Sequence, residues 1–180
     1  MTSPEKCPTP RAYMARAGRE DWRTPPEVIA LLRHLWGFVD LDPCAPAREA
    51  NDFAAANLRG DLVDGLSVAW HEEARTVYVN PPFASLAAWA EKCATEAKAG
   101  AEVVLLLPAR TDTRYWHTSI ATAQAVCFWR GRMRFVGAPA SAPFPTALVY
   151  WGSRVDDFRR VFSPFGMVVS LPSSTPEPHP

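Results

Sequence analysis

The first clear pattern along the chain is an apolar stripe at helical spacing between Thr24 and Gly37. Thr24 is the predicted N-cap, Pro25 stands at the first helical position, and Glu27 completes a capping box. Gly37 is the expected terminator. The members of the stripe are Val28, Leu31, Leu32, Leu35 and Trp36. Their spacing predicts a helix that buries one face against a sheet.

Strand-like runs follow this helix. Residues 38–42 read as a short strand that Pro43 ends, because proline cannot continue a central ladder. Residues 47–70 have a weak pattern that favours no more than a short helix and a turn. The β-rich run 76–79 is then followed by a second helix, which Ser85 would cap.

The second half of the chain continues the alternation. Residues 102–107 form a near-continuous apolar run, as expected for a strand covered by helices on both faces, and Pro108 ends it. Beyond it the pattern predicts a helix over 113–123, strands over 125–129, 132–136 and 146–151, and a helix with one edge strand over 154–171. This order of elements predicts a three-layer α/β fold with a mostly parallel central sheet.

The length and composition favour one domain over residues 21–171. A chain of 180 residues that is 48% hydrophobic can bury one sizeable core. Proline is dense in the first ten residues and again over 172–180, so residues 1–20 and 172–180 are expected to be disordered tails. No apolar run is long enough for a membrane span or a signal core, so we expect a cytosolic protein.

The formal net charge is zero, so the chain as a whole does not attract a polyanion. Any nucleic-acid contact must come from a local patch. Two candidate patches are Arg110 with Arg114, and Arg130 with Arg132 and Arg134. The four cysteines show neither a C-x-x-C pair nor metal-ligand spacing, so we expect no metal site and no disulfide framework.

Three segments whose residue types suit binding or catalysis fall at predicted strand ends. They are residues 42–45, residues 80–83 and residues 108–110. Ligands of open α/β sheets bind beyond the carboxyl ends of the strands. We therefore expect these segments to converge on one cleft.

The segment Asn80-Pro81-Pro82-Phe83 indicates transfer of a methyl group to a planar amine. Such an amine attacks poorly because its lone pair is delocalised into the ring. The Asn80 side-chain oxygen and the Pro81 carbonyl could accept its two hydrogens and favour a pyramidal nitrogen aimed at a sulfonium methyl group. Two consecutive prolines would hold these acceptors in place. The alternative interpretation is a simple turn after a strand.

Phe83 is expected to provide a stacking surface. A base inside a duplex cannot present its amine for in-line attack, so it must be flipped out, and an aromatic ring offsets part of the lost stacking. No strong general base is needed because the proton leaves after transfer.

The cofactor half of the site has a weaker signature. Asp40 and Asp42 project from the same side of a strand, so we expect one to be structural and the other, Asp42, to bind the ammonium or the ribose of the cofactor. The usual Gly-x-Gly is absent, and Pro43 to Ala45 stand in its place. Asp64 could reach the amine of the cofactor's adenine, or simply stabilise a turn.

Six short segments occur in a fixed order between Asp21 and Trp151. They are Asp21-Trp22-x-Thr24-Pro25, Asp40-Leu41-Asp42-Pro43-Cys44-Ala45, Asp64-Gly65-Leu66 with Trp70, Asn80-Pro81-Pro82-Phe83, Leu107-Pro108-Ala109-Arg110-Thr111-Asp112-Thr113, and Arg130-Gly131-Arg132. With them the chain resembles the phage-encoded DNA adenine-N6 methyltransferase family, which is Dam-like and carries this Asn-Pro-Pro-Phe motif.

The resemblance implies a Rossmann-like class I methyltransferase fold and S-adenosylmethionine as the methyl donor. It implies the exocyclic amine of adenine in double-stranded DNA as the acceptor, and a phage or prophage origin. Thr24 and Pro25 then contact the cofactor, as do Asp42, Pro43 and Ala45 in the loop after the first strand. The residues 80–83 form the catalytic motif. There is no room for a large target-recognition domain, so sequence selectivity is expected to be short or lax.

The arginines are the expected DNA contacts. Arg110 and Arg114 follow the third strand end, where they could hold phosphates that flank the flipped base or lie on a solvated helix start. Arg132 and Arg134 fall in a predicted hairpin with Phe135. The sequence does not distinguish a monomer from a dimer.

Other functions remain open at the level of sequence. The same motif suits methylation of the cytosine amine, of RNA or of a protein glutamine. Cys44, in a Pro-Cys pair, could attack a cytosine ring as a thiolate. The missing glycines and the arginine clusters also suit a nucleic-acid binder without catalysis on a degenerate methyltransferase fold.

Overall fold

The structure is a computed structural model that describes residues 22–45, 53–59 and 63–172. The strands are β1 Val39–Ala45, β2 Ala54–Arg59, β3 Thr76–Val79, β4 Glu102–Pro108, β5 Ala125–Trp129, β6 Thr146–Trp151 and β7 Gly166–Ser170. The α-helices are α1 Pro26–Trp36, α2 Leu86–Lys98, α3 Arg114–Thr118 and α4 Val155–Phe162. Single 3-10 turns lie at Phe83–Ser85 and Ile120–Thr122.

The strands form one sheet in the order β2-β1-β3-β4-β6-β5-β7. The pairs β1–β2, β1–β3 and β3–β4 are parallel, whereas β4–β6, β5–β6 and β5–β7 are antiparallel. The prediction of a mostly parallel sheet was therefore wrong. The chain returns from the end of β5 through a loop, without a crossover helix, so β6 enters beside β5 in the reverse direction.

Helical elements cover both faces of this sheet. Tyr150 of β6 stacks on Phe158 of α4 at 5.0 Å between ring centroids. The next residue, Trp151, donates its indole N–H to the Thr122 hydroxyl in the second 3-10 turn at 3.0 Å. Consecutive strand residues point to opposite faces. The predicted three-layer arrangement is thus confirmed, and Val103–Leu107 of β4 lie fully buried at its centre.

One predicted helix cap, Thr24, was wrong, and the other, Ser85, is confirmed in position but makes no capping hydrogen bond. Helix α1 begins at Pro26 with Pro25 as its N-cap, and no side chain caps it. The Thr24 hydroxyl lies against Tyr78 instead. In α2, the Ser85 hydroxyl donates to the Pro82 carbonyl within the 3-10 turn and leaves the helix start uncapped. In both cases a local polar side chain has a different partner from the one that the pattern suggests.

We predicted that Pro43 ends strand β1, but the strand continues to Ala45. Its register with β2 shifts between Asp42, opposite Asn57, and Ala45, opposite Arg59. Such an irregularity accommodates a proline that has no N–H to donate. Strand β2 itself lies in the region where the sequence favoured only a short helix and a turn.

The second half follows the prediction in part. Strands β5 and β6, helix α4 and the edge strand β7 are confirmed. The predicted strand over 132–136 was wrong, because this segment forms only an isolated bridge between Val136 and Arg23. The predicted helix over 113–123 is shortened to α3 and a 3-10 turn. Residues 1–21 and 173–180, which include nearly all of both predicted tails, lie outside the described residues.

A buried carboxylate fixes the loop before β3 to helix α2. Glu96 is 3% exposed, and its Oε2 accepts the backbone N–H groups of Trp70 and His71 at 2.9 and 3.0 Å. The same oxygen lies 2.7 Å from the His71 ring nitrogen Nδ1, and Lys92 Nζ contacts the other oxygen at 2.5 Å. Burial alone would raise the pKa of Glu96, but these partners outweigh it and lower the pKa to about 2.

This carboxylate should make a pH-dependent contribution to stability. Because its folded pKa is lowered, the contribution is present above the unfolded pKa near 4.5 and is lost as the pH falls towards 2. Glu96→Gln should reduce the free energy of unfolding by about 3 kcal/mol at pH 7. Urea titrations should show this deficit shrinking between pH 5 and pH 2. The exposed Glu91 of the same helix provides the control Glu91→Gln, and equal losses in the two variants would contradict the assignment.

Candidate active site

The carboxyl ends of β1, β3 and β4 lie side by side at one edge of the sheet. From β1 the chain moves outward to β2 and then returns across β1 to β3, so the strand order reverses between β1 and β3. Ligands of open α/β sheets bind at such a reversal. Residues 42–45, 80–83 and 108–110 therefore lie at the same edge of the sheet, as the expectation of one shared cleft requires.

The amide of Asn80, directly after β3, is held by the segment that precedes α1. Its Nδ2 donates to the Trp22 carbonyl at 2.5 Å and to the Thr24 hydroxyl at 3.2 Å. A backbone carbonyl can only accept, so the amide atom next to Trp22 must be the NH₂ group. The orientation of the Asn80 amide is thereby determined, and its oxygen Oδ1 points away from both partners.

Three side-chain oxygens at or near this edge are buried without a hydrogen-bond partner among the described residues. They are Asn80 Oδ1, Tyr115 Oη and Thr146 Oγ1. Thr146 opens β6 opposite Pro108 at the end of β4, and Tyr115 lies in the first turn of α3, just beyond that end. Buried polar atoms are normally paired, so unpaired ones call for an explanation such as a missing ligand.

The two prolines after Asn80 set the course of the chain. Pro81 is buried, and within the described residues no group donates to its carbonyl oxygen. The carbonyl of Pro82, in contrast, accepts the backbone N–H of Ser85 at 3.1 Å and closes the 3-10 turn. Asn80 Oδ1 and the Pro81 carbonyl are therefore two acceptors with capacity for a ligand.

Phe83 belongs to a cluster of four aromatic rings. Its ring lies parallel to Trp22, with centroids 6.3 Å apart, and meets Phe135 and Phe144 edge to face at 6.1 and 5.4 Å. Trp22 also contacts Phe135 and Phe144. Phe83 is 6% exposed. Trp22 is the member of the cluster with partial exposure, whereas the other three rings are buried.

The cofactor candidates gather around the end of β1. Asp42 is 2% exposed, and its Oδ1 accepts the Cys44 N–H at 2.9 Å. Asp64 is exposed and accepts the Leu66 N–H at 3.0 Å in a turn. The negative charges of Asp42 and Asp64 both raise the pKa of the Cys44 thiol, which indicates that the two loops lie close together.

Gly65 allows this close approach. A Cβ at Gly65 would lie 2.3 Å from the Pro43 carbonyl oxygen and 3.0 Å from the Trp89 ring. The fully buried Trp70 donates its indole N–H to the Gly65 carbonyl at 2.8 Å. Since Glu96 binds the backbone of Trp70, the buried carboxylate of α2 ultimately positions this loop.

The two aspartates of β1 have different environments, as expected. Asp40 Oδ2 accepts the backbone N–H groups of Arg75 and Thr76 at 2.9 and 2.8 Å, and it lies 3.0 Å from the Thr76 hydroxyl. It therefore fixes the start of β3 at the opposite edge of the sheet. Asp42 faces the carboxyl edge.

Cys44 is a poor candidate for a nucleophile. Burial raises the pKa of its thiol well above the usual value, and the neighbouring Asp42, Cys93 and Asp64 raise it further. A reactive cysteine needs a stabilised thiolate, which positive neighbours provide and carboxylates oppose. This environment does not favour attack on a cytosine ring.

The candidate DNA-binding arginines lie in two regions, one spanning the turn after β4 and the start of α3, the other in the loop between β5 and β6. Arg110 is half-buried, and its carbonyl accepts the Thr113 N–H in the turn after β4. Arg114, Arg132 and Arg134 are exposed. The predicted hairpin around the last two is absent.

Between β5 and β6 the exposed arginines alternate with the buried Met133 and Phe135. Arg132 and Arg134 therefore point outward from a segment whose inner side touches the aromatic cluster. The neighbouring Arg130 donates a guanidinium N–H to the Pro164 carbonyl at 2.7 Å.

Four contributors to this site were not predicted as such from the sequence. They are Trp22, Gly65, Tyr78 and Glu96. The available signals were an acidic residue beside the apolar stripe of α2 and a tyrosine within an otherwise aliphatic strand run. Trp22 and Gly65 stood only as members of longer motifs, with no individual role.

Within residues 22–45, 53–59 and 63–172, no cluster of three or more His, Cys, Asp or Glu side chains could hold a metal ion. The helices described in the same ranges are all too short or too polar to span a membrane.

Comparison with curated proteins gives no match for this chain. Comparison with protein families matches residues 12–147 to DNA N-6-adenine-methyltransferase (Dam). The match covers most of the chain and includes both the loop after β1 and the segment Asn80 to Phe83. It also agrees with an amide held so that its oxygen is available at the carboxyl end of β3. The chain therefore belongs to the DNA N-6-adenine-methyltransferase (Dam) family.

Proposed function

We propose that this protein transfers a methyl group from S-adenosylmethionine to the exocyclic amine of adenine in double-stranded DNA. The observation that carries the proposal is Asn80 Oδ1, a buried acceptor held in a fixed orientation with no partner among the described residues. Family membership supports the reaction class. A phage or prophage origin and a place in the cytoplasm of a bacterial host belong to the same proposal.

The chemistry follows from the two open acceptors after β3. Asn80 Oδ1 and the Pro81 carbonyl each accept one hydrogen of the amine, which localises the nitrogen lone pair for attack. When bound, S-adenosylmethionine supplies an electrophilic methyl group on a good leaving group. Pro81 and Pro82 keep the acceptors in place because their φ angles are fixed before the substrate arrives. The amine loses its proton to water after transfer.

The residues around β1 fit the proposed cofactor. S-adenosylmethionine presents an ammonium group, ribose hydroxyls and an adenine amine, all of which donate hydrogen bonds. The carboxylates of Asp42 and Asp64 provide matching acceptors beside the strand reversal. Pro43, Ala45 and the backbone of Thr24 and Pro25 complete the proposed contacts.

The strand order supports a Rossmann-like fold. With β6 and β7 set aside, the order β2-β1-β3-β4-β5 corresponds to the doubly wound order without its first edge strand. Strand β6 is then an antiparallel insertion between β4 and β5, and β7 an added edge strand.

The aromatic cluster is the proposed base pocket. Phe83 is covered in this structure, so a flipped adenine can stack on it only if a neighbouring ring moves. Trp22 is the partly exposed ring and lies parallel to Phe83, so it is the one that the base would displace. Phe135 and Phe144 would then form the buried walls.

The exposed Arg114, Arg132 and Arg134 and the half-buried Arg110 are the proposed DNA contacts. Arg132 and Arg134 are exposed residues of the loop whose buried Phe135 contacts Phe83, which supports a role for their charges beside the proposed base pocket. Arg110 and Arg114 follow β4 on the neighbouring side. Contacts of this kind hold phosphates and position the duplex without reading its sequence.

The rival functions share parts of this site. Cytosine amines, RNA and protein glutamine also present planar amines, so the labelled product must distinguish them. Ring-carbon methylation of cytosine would leave Asn80 without a role and would depend on a thiol that its surroundings keep protonated. A binder without catalysis would need no oriented acceptor at Asn80.

Incubation with DNA and tritiated S-adenosylmethionine, followed by digestion to nucleosides, tests the reaction. Label should appear in N6-methyladenine. Asn80→Ala should lower the rate of transfer at least about 100-fold because it removes a transition-state acceptor, while cofactor affinity in calorimetry stays unchanged. Label in another nucleoside, or an Asn80→Ala enzyme of normal rate, would refute the proposal. DNA binding with no S-adenosylmethionine binding would favour the binder.

Gly65→Ala tests the cofactor loop. The added Cβ would push Asp64 away from Pro43 and should weaken S-adenosylmethionine binding about tenfold in calorimetry. Gly166→Ala, in the edge strand β7, is the matched control, because its Cβ would meet the carbonyl oxygen of Phe128 in β5 at 2.2 Å. Both variants should lower the melting temperature by roughly 4 °C. If both variants also lost cofactor affinity equally, the loop would have no special role.

Replacement of both exposed loop arginines, Arg132→Ala with Arg134→Ala, tests the DNA contacts. Affinity should fall by a similar factor for unrelated DNA sequences. The slope of log affinity against log salt should decrease by about one per lost phosphate contact in fluorescence titrations. Arg33→Ala removes an exposed arginine near the end of α1, at the opposite edge of the sheet, and should have no effect. An unchanged slope in the double variant would contradict the assignment.

A further inference from the structure

We propose that Thr24 and Tyr78 are positioning residues that hold the Asn80 amide with its oxygen towards the substrate amine. This inference rests on the proposed function of Asn80. It gives Thr24 a role in the methyl-transfer step, which is distinct from the cofactor contact expected from the sequence.

The three side chains form a continuous hydrogen-bonded chain. Tyr78 Oη lies 3.0 Å from Thr24 Oγ1, and Thr24 Oγ1 accepts from Asn80 Nδ2 at 3.2 Å. Tyr78 lies within β3 and is fully buried, two residues before Asn80. This series of hydrogen bonds thus begins at Tyr78 in the sheet, passes through Thr24 in the segment before α1, and ends at Asn80 after β3.

The need for two partners follows from the shape of an amide. Oxygen and NH₂ are nearly equal in size, so rotation of the Asn80 side chain by half a turn exchanges them at little steric cost. The rotated amide would present hydrogens to a substrate amine that also presents hydrogens. The Trp22 carbonyl binds one N–H, and Thr24 binds the second, so both hydrogens of Nδ2 are committed away from the substrate.

Tyr78 keeps Thr24 available as an acceptor. Either hydroxyl can donate to the other. If Thr24 donates to Tyr78, both Thr24 lone pairs remain available to Asn80, and if Tyr78 donates, one lone pair remains. Burial raises the pKa of Tyr78 far above its usual value, so this hydroxyl keeps its proton at neutral pH.

The same arrangement explains why Thr24 does not cap α1. Its hydroxyl is turned towards Tyr78 and Asn80, and Pro25 takes the N-cap position without a side-chain hydrogen bond. A stabilising cap, worth about 1 kcal/mol in other helices, is therefore absent at this end. The loss is understandable if the hydroxyl serves the active site.

Single-turnover methyl transfer at saturating S-adenosylmethionine tests the role of both residues. Thr24→Val and Tyr78→Phe should each lower the transfer rate about tenfold, since one positioning hydrogen bond is lost. The dissociation constant of the cofactor should change by less than about twofold in calorimetry. Thr24→Ser keeps the hydroxyl and should restore most of the rate.

Tyr150→Phe is the matched control. Tyr150 is also fully buried in the sheet, and its hydroxyl accepts the Arg154 N–H at 2.9 Å, away from the carboxyl edge. This variant should lose stability without loss of the transfer rate. Equal rate losses in Tyr150→Phe and Tyr78→Phe would show a general structural effect and overturn the inference.

Two further outcomes would separate the inference from the proposed function. If Thr24→Val weakened cofactor binding but kept a normal rate at saturation, Thr24 would be a cofactor contact and the inference would fail. If Asn80→Ala were inactive while Thr24→Val and Tyr78→Phe kept the wild-type rate, the proposed function would stand and only the inference would fail.

A measurement on the wild-type protein tests the inference without an activity assay. In nitrogen-15 NMR spectra, the two side-chain N–H protons of Asn80 should exchange slowly with water because both are hydrogen-bonded. The spectrum of Asn80→Ala identifies their signals. Rapid exchange of both protons in the wild-type protein would overturn the inference.

Discussion

The fixed orientation of the Asn80 amide is the constraint on which the site depends. Its two N–H groups bind the segment before α1, through the Trp22 carbonyl and the Thr24 hydroxyl. That segment is in turn bridged to the loop between β5 and β6, where Val136 donates its N–H to the Arg23 carbonyl at 3.0 Å. One set of hydrogen bonds thus connects the proposed acceptor Asn80, the aromatic cluster and the loop that carries the exposed arginines.

The proposed cofactor side of the site is held together by close packing and a buried carboxylate rather than by the hydrogen bonds of Asn80. Close packing of Gly65 on Pro43 brings two acidic loops together, and the buried Glu96 holds the backbone of Trp70 behind them. Tyr78 lies between the two sides, since Asp42 and Cys44 both influence its pKa while its hydroxyl contacts Thr24. Both halves of the proposed methyl-transfer site therefore lie around the ends of two adjacent strands, β1 and β3.

The sequence predicts those parts of this architecture that depend on local patterns. Apolar periodicity identified α1, α2 and the buried strand β4, and the strand-end motifs identified the edge where the site forms. The sequence did not predict the direction of β6, which pairs antiparallel with β4 and β5. Strand pairing is non-local, and no local pattern distinguishes antiparallel from parallel pairing here. The alternation of Arg132 and Arg134 with buried neighbours suggested a strand, but the residues have no partner strand to complete a ladder.

The sequence identified the candidate motif that begins at Asn80 but not the contacts that hold the Asn80 amide. Asn80 and the prolines carry their chemistry in the motif itself. The proposed roles of Thr24 and Tyr78 depend on a contact across 54 residues of sequence. The cover over Phe83 depends on rings from two other segments, the one before α1 and the loop between β5 and β6. Such contacts have no signature in a single sequence, because helix caps and core aromatics use the same residue types.

Sequencing of DNA from a bacterial host that expresses the protein tests the central claim most directly. Adenine carrying a methyl group on its exocyclic amine should appear in cells with the wild-type chain and be absent from cells with Asn80→Ala at equal expression. The account would be contradicted if the wild-type chain, folded and able to bind S-adenosylmethionine, left adenine unmodified, or if Asn80→Ala produced the same modification.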